Sequence, residues 1–217
     1  MDRQLDRIRK AYDLTASEHG KGLDPLAKVP TEFRNSREFR AFQKAQKHSP
    51  GSGDPAIREY LGPERGMRFL DTGCSANLSN YRLDRWASTY DGVDISPALI
   101  EAMNGFVAAR RISIGGLWVA HLAELPFDDS FFDIAAAIGV YEYSALEYIE
   151  TALAELRRVI KPGGRAVVDV PNLQHPLADT MFRLEVYLGR PNIPYPREAY
   201  EEVLARTSRS CEPTIPT

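Results

Sequence analysis

Two acidic residues that follow short apolar runs are the part of this chain best suited to chemistry. Asp71 stands directly before a turn of small residues that includes Gly73, and Asp94 ends the next apolar run along the chain. Small residues let a ligand approach the backbone closely, and such a turn commonly opens onto a helix N-terminus. A carboxylate at the end of a second strand can accept hydrogen bonds from ribose hydroxyls. The pattern therefore predicts a nucleoside-binding α/β domain.

The position of these acids distinguishes between nucleoside cofactors. A dinucleotide-binding turn needs G-x-G-x-x-G to receive a pyrophosphate, and only Gly73 of that triplet is present. Asp71, immediately before the turn, would repel a pyrophosphate but attract a cation. No G-K-[ST] follows the glycine, which excludes a phosphate-binding P-loop. The two acids fit a ligand with a ribose and a positive end, and S-adenosylmethionine is such a ligand.

Strands and helices that alternate along the chain would position these residues. The alternation predicts an α/β fold with a doubly wound, mostly parallel sheet. The segments 132–138 and 165–170 lack strict apolar–polar alternation, as expected for strands buried on both faces. The predicted strands lie near 67–71, 90–94, 116–120, 132–138 and 165–170. The predicted helices between them lie near 77–88, 97–109 and 145–160.

The segment from about residue 67 to residue 172 resembles a class I S-adenosylmethionine-dependent methyltransferase of the small-molecule type. The resemblance implies a Rossmann-like methyltransferase fold with S-adenosylmethionine as its cofactor. Four motifs carry it: Leu70-Asp71-Thr72-Gly73-Cys74, Val93-Asp94-Ile95-Ser96, Leu125-Pro126-Phe127 with Phe132-Asp133, and Glu155-Leu156-Arg157-Arg158-Val159-Ile160-Lys161-Pro162-Gly163-Gly164.

The resemblance assigns cofactor roles at the strand ends. Asp94 would hold the ribose, and Asp71 would orient the methionine amino group or the loop amides, or else hold the turn by local hydrogen bonds. Ile95 would pack on the adenine face or in the core. The other residues implied in cofactor binding are Gly73, Cys74 and Ser75 for close backbone approach, His121 and Leu122 at the adenine edge, and Tyr12 in a segment that closes over the site.

Two departures from the family pattern bear on cofactor binding. The family loop is D-x-G-x-G-x-G, and this chain has Ser75 and Asn77 at the second and third glycine positions. His121 stands where the family usually has an acid that accepts from the adenine amino group. A neutral histidine can still accept through one ring nitrogen.

The candidates on the methyl-acceptor side are two histidines and a tyrosine. His175 follows the fifth predicted strand and could act as a general base, as could His19 near the N-terminus. Tyr141 follows the fourth strand and would point the same way as Tyr143 if the strand continued. Each of these residues could equally serve packing or face solvent. The strand does not end in [DN]-P-P-[YF], which argues against methylation of nucleic-acid bases.

The composition limits the possible binding partners and the cellular compartment. The chain has 217 residues and a formal net charge of −3, which provides no general basic field for nucleic acid. No apolar stretch is long enough to span a membrane. Two cysteines provide neither a disulfide framework nor a metal-ligand cluster, which favours a reducing, cytoplasmic setting and no metal.

Three regions are predicted: a helical N-terminal leader over 1–53, the cofactor-binding core over 54–172, and a substrate-side helical segment with a short tail over 173–217. The leader carries basic residues at near-helical spacing, which form a solvated face or recognise an anionic substrate. After residue 206 too little chain follows for the antiparallel edge hairpin usual in the family. The sheet therefore stops at five or six strands or another chain covers its edge, and a homodimer is favoured.

The resulting hypothesis is a methyltransferase that acts on a small molecule, with oxygen favoured over nitrogen or carbon as the acceptor atom. The alternative is a non-catalytic cofactor-binding or partner subunit, because the glycine loop is altered. A nicotinamide-dependent oxidoreductase is disfavoured by Asp71, and a nucleic-acid methyltransferase by the absence of a basic field.

Overall fold

A computed structural model describes residues 3–47 and 55–209. It contains a five-stranded, all-parallel sheet in the order β3-β2-β1-β4-β5, which confirms the predicted doubly wound α/β fold. The chain turns back across the sheet between β1 and β4, so loops on either side of this switch point open a crevice at the carboxyl ends of the strands. The strands are β1 (Arg68–Thr72), β2 (Thr89–Asp94), β3 (Gly116–Val119), β4 (Phe132–Ala137) and β5 (Ile160–Val168).

Helices cover both faces of the sheet. They are α1 (Arg3–Gly20), α2 (Thr31–Arg34), α3 (Arg37–Lys47), α4 (Pro55–Leu61), α5 (Asn77–Tyr81), α6 (Pro97–Arg110), α7 (Leu146–Val159), α8 (Ala178–Tyr187) and α9 (Arg197–Arg209). None of these helices is long and apolar enough to cross a membrane.

Three boundaries differ from the predicted ones for local reasons. The predicted helix 77–88 ends at Tyr81 because Arg82 adopts a left-handed conformation with φ of 51°. Within the predicted helical leader, the segment 31–47 forms two helices, since Ser36 accepts from the amide of Phe39 at the start of α3. The strand predicted near 165–170 begins earlier, because Lys161-Pro162-Gly163-Gly164 already belongs to β5, and α7 ends at Val159.

Each face of the sheet has its own apolar core. Leu70, Val93 and Phe132 pack with α7 and α9 on one face. Phe69 and Ile134, which are next to Leu70 in β1 and to Ala135 in β4, point the other way and pack with α4, α5 and α6 on the opposite face. Burial on both faces explains the uninterrupted apolar runs in the sequence.

A third apolar cluster joins the leader to α8. Phe33 and Phe39 are buried against Leu184 and Leu188, and the rings of Phe33 and Tyr187 lie 5.1 Å apart. The leader therefore packs on the segment that follows the sheet, at the carboxyl ends of the strands.

The N-terminus of α6 is held by α1. Ser96 accepts from the amide of Leu99 and donates to Asp13 Oδ1 at 2.6 Å, and the same oxygen accepts from the amide of Ala98 at 3.3 Å. Asp13 thus satisfies donors at the helix start, where the negative charge also suits the helix dipole.

Replacing Asp13 by alanine is expected to lower the free energy of unfolding by about 1–2 kcal/mol, the usual cost of losing a helix cap. Urea denaturation of the wild type and Asp13→Ala measures the difference. Asp6→Ala, which removes only partly exposed ion pairs on the same helix, should change stability less. Equal losses for the two variants would contradict the capping role.

Candidate cofactor site

A cavity of about 310 Å³ lies at the carboxyl ends of β1, β2 and β4. Most of the residues that the sequence predicted to bind a cofactor line it: Tyr12, Gly73, Ser75, Asp94, Ile95 and Leu122. They come from α1, from the loops after β1 and β2, and from the segment after β3. The parallel sheet brings these distant segments together because all of its strands end at the same edge.

Asp94 is the ionisable group at the centre of this arrangement. Its side chain is 5% exposed, Oδ2 accepts from the amide of Ser75 at 2.8 Å, and Oδ1 accepts from the amide of Ser96 at 2.8 Å. Burial raises the pKa of this carboxyl. Each oxygen keeps a further lone pair, so the carboxylate can accept from a ligand hydroxyl while it fixes both loops.

The turn after β1 requires glycine at position 73. Gly73 has φ of +68°, and a β carbon there would lie 2.3 Å from Val140 Cγ2. Ser75 also has a positive φ, of 39°, at one of the positions where the family pattern has glycine. The loop therefore takes up its compact shape despite the missing glycines, and it fits a nucleoside cofactor held through backbone contacts.

Tyr12 is held over the cavity by a polar network from three elements. Its hydroxyl donates to Tyr143 Oη at 3.3 Å, and Tyr143 donates to Glu185 Oε2 at 3.1 Å. Arg190 pairs with Glu185 at 2.7 Å and lies 4.4 Å above the Tyr12 ring. Through these contacts α1 and α8 meet above the site.

Asp71 lies behind the cavity wall rather than on it. The side chain is 1% exposed, Oδ2 accepts from Tyr90 Oη at 2.8 Å, and Oδ1 accepts from Asn77 Nδ2 at 3.3 Å. Burial raises its pKa to about 7, although both hydrogen bonds act in the opposite direction. These contacts correspond to the alternative role, in which Asp71 holds the turn through Asn77.

The pKa of Asp71 predicts a pH-dependent stability. Between about pH 4 and pH 7 the folded state holds a proton that the unfolded chain has released, so the free energy of unfolding falls as the pH rises through this window. Asp71→Asn lacks this titration, so its stability relative to the wild type should rise from pH 4 to pH 7 and stay constant above.

Urea denaturation of both proteins at several pH values measures this difference. Asp84→Asn is the control, because Arg82 lowers the pKa of Asp84. The stability of this variant relative to the wild type should therefore not rise between pH 4 and pH 7. A difference between Asp71→Asn and the wild type that does not vary with pH would contradict the assignment.

Besides Asp71, two predicted cofactor residues do not line the cavity, and another has a different hydrogen-bond partner from the one predicted. The amide of Cys74 donates to the carbonyl of Val93 at 2.9 Å, and its thiol is buried in the core, which raises the pKa of the thiol. His121 lies outside the lining, whereas its neighbour Leu122 lines the cavity. The amide of Leu122, predicted to face adenine, donates to Tyr148 Oη at 3.2 Å.

The predicted catalytic candidates are not brought together. Tyr141 and Tyr143 form a 3-10 helix after β4, so the strand does not continue and the condition under which both would point the same way is not met. Tyr141 is buried in the core, and only Tyr143 lines the cavity. His19 is exposed at the C-terminal end of α1, and His175 lines a second, neighbouring cavity.

The sequence reasoning missed Glu142, which lines both cavities. It is 8% exposed, and burial raises its pKa to about 7. An acid directly after an apolar strand that ends at the ligand edge was the available signal.

Comparison with known proteins agrees with this geometry. Residues 70–168 match the family model described as "Methyltransferase domain". The chain is 27% identical over 175 residues to the sterol 4-C-methyltransferase strm-1 of Caenorhabditis elegans, covering 76% of this chain and 49% of that protein. It is 31% identical over 140 residues to the O-methyltransferase cnsE of Penicillium expansum, covering 59% and 48%.

A solved structure extends the likeness in fold over most of the chain. Geranyl diphosphate C-methyltransferase from Streptomyces coelicolor A3(2), determined with Mg²⁺, geranyl diphosphate and S-adenosyl-L-homocysteine, superposes with a TM-score of 0.62. It is 16% identical and the match covers 95% of this chain and 79% of that one. The chain spans about half the length of the curated relatives it matches. Residues 70–168 of this chain belong to the methyltransferase domain family.

Proposed function

We propose that this chain binds S-adenosylmethionine in the cavity at the strand ends and transfers its methyl group to a small-molecule acceptor. The observation that carries the proposal is the placement of Asp94 between the Ser75 and Ser96 amides on the cavity wall, beside the open turn at Gly73. When bound, the cofactor supplies a methyl group already activated by a sulfonium. The protein then has to bind, align and exclude water.

The lining suits the parts of this cofactor. Asp94 would accept from the ribose hydroxyls, and the turn at Gly73 and Ser75 would receive the amino-acid portion. Ile95 and Leu122 would contact the adenine, with Tyr12 above. The described lining residues include Asp94 and Glu142 but no lysine or arginine, which favours a ligand with a positive charge.

Calorimetric titration tests the proposal. S-Adenosylhomocysteine and S-adenosylmethionine are expected to bind with dissociation constants in roughly the micromolar to sub-millimolar range that is usual for enzyme ligands. NADH, which carries a pyrophosphate, should not bind at the same concentrations. Absence of binding by both adenosyl ligands at millimolar concentration would overturn the proposal.

A non-catalytic cofactor-binding role is the second candidate. Ser75 adopts a strained positive φ, and Tyr148 occupies the Leu122 amide, which together favour weaker cofactor binding than a complete glycine loop would give. Incubating the purified chain with methyl-labelled cofactor and a small-molecule extract separates the two. Label in an extractable product supports the enzyme, and binding without any transfer supports the alternative.

The acceptor atom, the setting and the assembly state are further proposals. Names of the two relatives specify a carbon and an oxygen acceptor, and we propose oxygen here because Glu142 provides a carboxylate next to the site. We retain a homodimer and a cytoplasmic setting as predictions from the sequence. Light scattering of the purified chain would test the dimer.

The basic leader does not support an anionic acceptor. Arg37 and Arg40 are exposed, as expected for a solvated helix face. The α3 residues that line the second cavity are the apolar Phe42 and Ala45.

A further inference from the structure

A second cavity of about 420 Å³ adjoins the cofactor cavity. Its lining includes Phe42 from α3, Asp169 after β5, His175 and Met181. Gly139 and Glu142, which follow β4, line both cavities. A group bound in the second cavity would therefore meet the cofactor cavity at these two residues.

Glu142 is the carboxylate on this shared wall that has unused hydrogen-bonding capacity. Its backbone is fixed, because its carbonyl accepts from the amide of Ile193 at 2.6 Å. Across residues 3–47 and 55–209, no other residue's side chain donates a hydrogen bond to its carboxylate. In contrast, Asp169 Oδ1 accepts from the amide of Gly139 at 2.7 Å, and Glu185 is paired with Arg190.

The charge and polarity of the second cavity define the kind of molecule it suits. Its polar groups are Glu142, Asp169 and His175, with Asn172 at one side, and the described lining contains no lysine or arginine. The rest of the lining is mostly apolar, including Phe42. A carboxylate or phosphate would meet two acids without a cationic partner, which costs free energy. An apolar body that carries a hydrogen-bond donor fits.

We propose that the second cavity holds the methyl acceptor and that Glu142 accepts a hydrogen bond from its nucleophilic group, so that the acceptor is a neutral or cationic hydroxyl or amine compound. This inference rests on the proposed function. In the transfer, the acceptor heteroatom forms the new bond to the methyl carbon, and the electron pair of the broken carbon–sulfur bond stays on sulfur. The proton of the acceptor passes to the Glu142 carboxylate.

The surroundings of Glu142 suit this role. Burial raises its pKa to about 7, against a hydrogen bond from its own backbone amide, with Asp169 and Glu185 adding to the rise and Arg190 opposing it. Tyr200 lies close enough to be affected by its charge, and His175 faces the same cavity. A carboxylate with a pKa near neutrality accepts a proton efficiently at neutral pH.

Three fragments of matched shape test the charge preference: benzylamine, benzyl alcohol and benzoate. Their dissociation constants are measured by saturation-transfer NMR with the protein saturated by S-adenosylhomocysteine, so that the first cavity is filled. We expect benzylamine to bind about tenfold more tightly than benzoate, the usual effect of a charge-assisted hydrogen bond. Benzoate binding as tightly as benzylamine would overturn the inference.

The Glu142→Gln variant tests whether the Glu142 carboxylate causes this preference. The variant should lose most of the benzylamine preference when it is saturated with S-adenosylhomocysteine, whose dissociation constant is measured for each variant beforehand. Glu147→Gln, on the exposed first turn of α7, is the matched control and should behave as the wild type. An undiminished preference in Glu142→Gln would overturn the assignment of Glu142. If neither the wild type nor the variants bind S-adenosylhomocysteine, the result contradicts the proposed function instead.

The pH dependence of the wild type provides a test that needs no variant. Benzylamine stays protonated below pH 8.5, so its affinity should fall as the pH is lowered through about 7 and Glu142 becomes neutral. Benzyl alcohol should change less. His175→Gln should retain the midpoint, because the titrating group is Glu142. Loss of the pH dependence in His175→Gln, or its absence in the wild type, would contradict the inference.

Discussion

Replacing Asp94 by asparagine is expected to weaken the binding of S-adenosylhomocysteine by roughly 100-fold. The carboxylate would lose its charge-assisted hydrogen bonds to the ribose hydroxyls, and two such bonds account for about 3 kcal/mol. An amide also cannot accept from both Ser75 and Ser96, because its NH₂ group would face one of these backbone N–H groups. The loop after β1 would then shift away from the ligand.

Calorimetric titration of Asp94→Asn measures the loss. Asp91→Asn is the matched control, because Asp91 lies within the same strand but outside the cavity lining, and both its oxygens accept from Arg68. This control is expected to change stability and to leave the affinity for S-adenosylhomocysteine within about twofold. Wild-type affinity in Asp94→Asn would remove Asp94 from the cofactor site.

Replacing Gly73 by alanine is expected to lower the free energy of unfolding by about 2–4 kcal/mol. The left-handed conformation alone costs an alanine about 1–2 kcal/mol, and overpacking against Val140 adds a similar amount. Val140 also lines the cavity, so its displacement would change the shape of the ligand site. Binding of S-adenosylhomocysteine should therefore weaken by at least about tenfold in protein that remains folded.

Two variants separate the causes of this loss. Gly105→Ala should stabilise the protein by about 0.5–1 kcal/mol, because Gly105 lies in α6 with nothing within 4 Å of its β position. Adding Val140→Ala to Gly73→Ala should restore the part of the stability that the clash removes, but not the conformational part. Destabilisation by Gly105→Ala equal to that by Gly73→Ala would contradict the argument.

The sequence was sufficient for the sheet and for the cofactor loops, because both depend on local patterns. Apolar runs without alternation predicted the buried strands, and small residues after β1 predicted the turn. The resemblance to the methyltransferase family then predicted most of the residues that line the cavity, including Asp94 and Ile95.

The directions of individual side chains could be predicted less well from the sequence. Whether Asp71 faces the ligand or the core depends on Tyr90, which reaches it from the neighbouring strand. The direction of Tyr141 depended on whether β4 continued, and the chain instead turns after Ala137. Glu142 gains its significance from burial and from Asp169 and Glu185, which are distant in sequence. Such contacts arise from tertiary packing and leave no periodic signal.

Hydrogen–deuterium exchange with and without S-adenosylhomocysteine tests most directly whether the strand-end loops form the cofactor site. Slower exchange on binding is expected in the segments 73–77, 94–97 and 121–123 and around Tyr12, all of which line the cavity or adjoin its lining. The exposed turn 63–66 at the opposite, amino-terminal end of β1 should exchange unchanged. Protection confined to the amino-terminal ends of the strands, or absent from the loops after β1 and β2 at saturating ligand, would contradict the account.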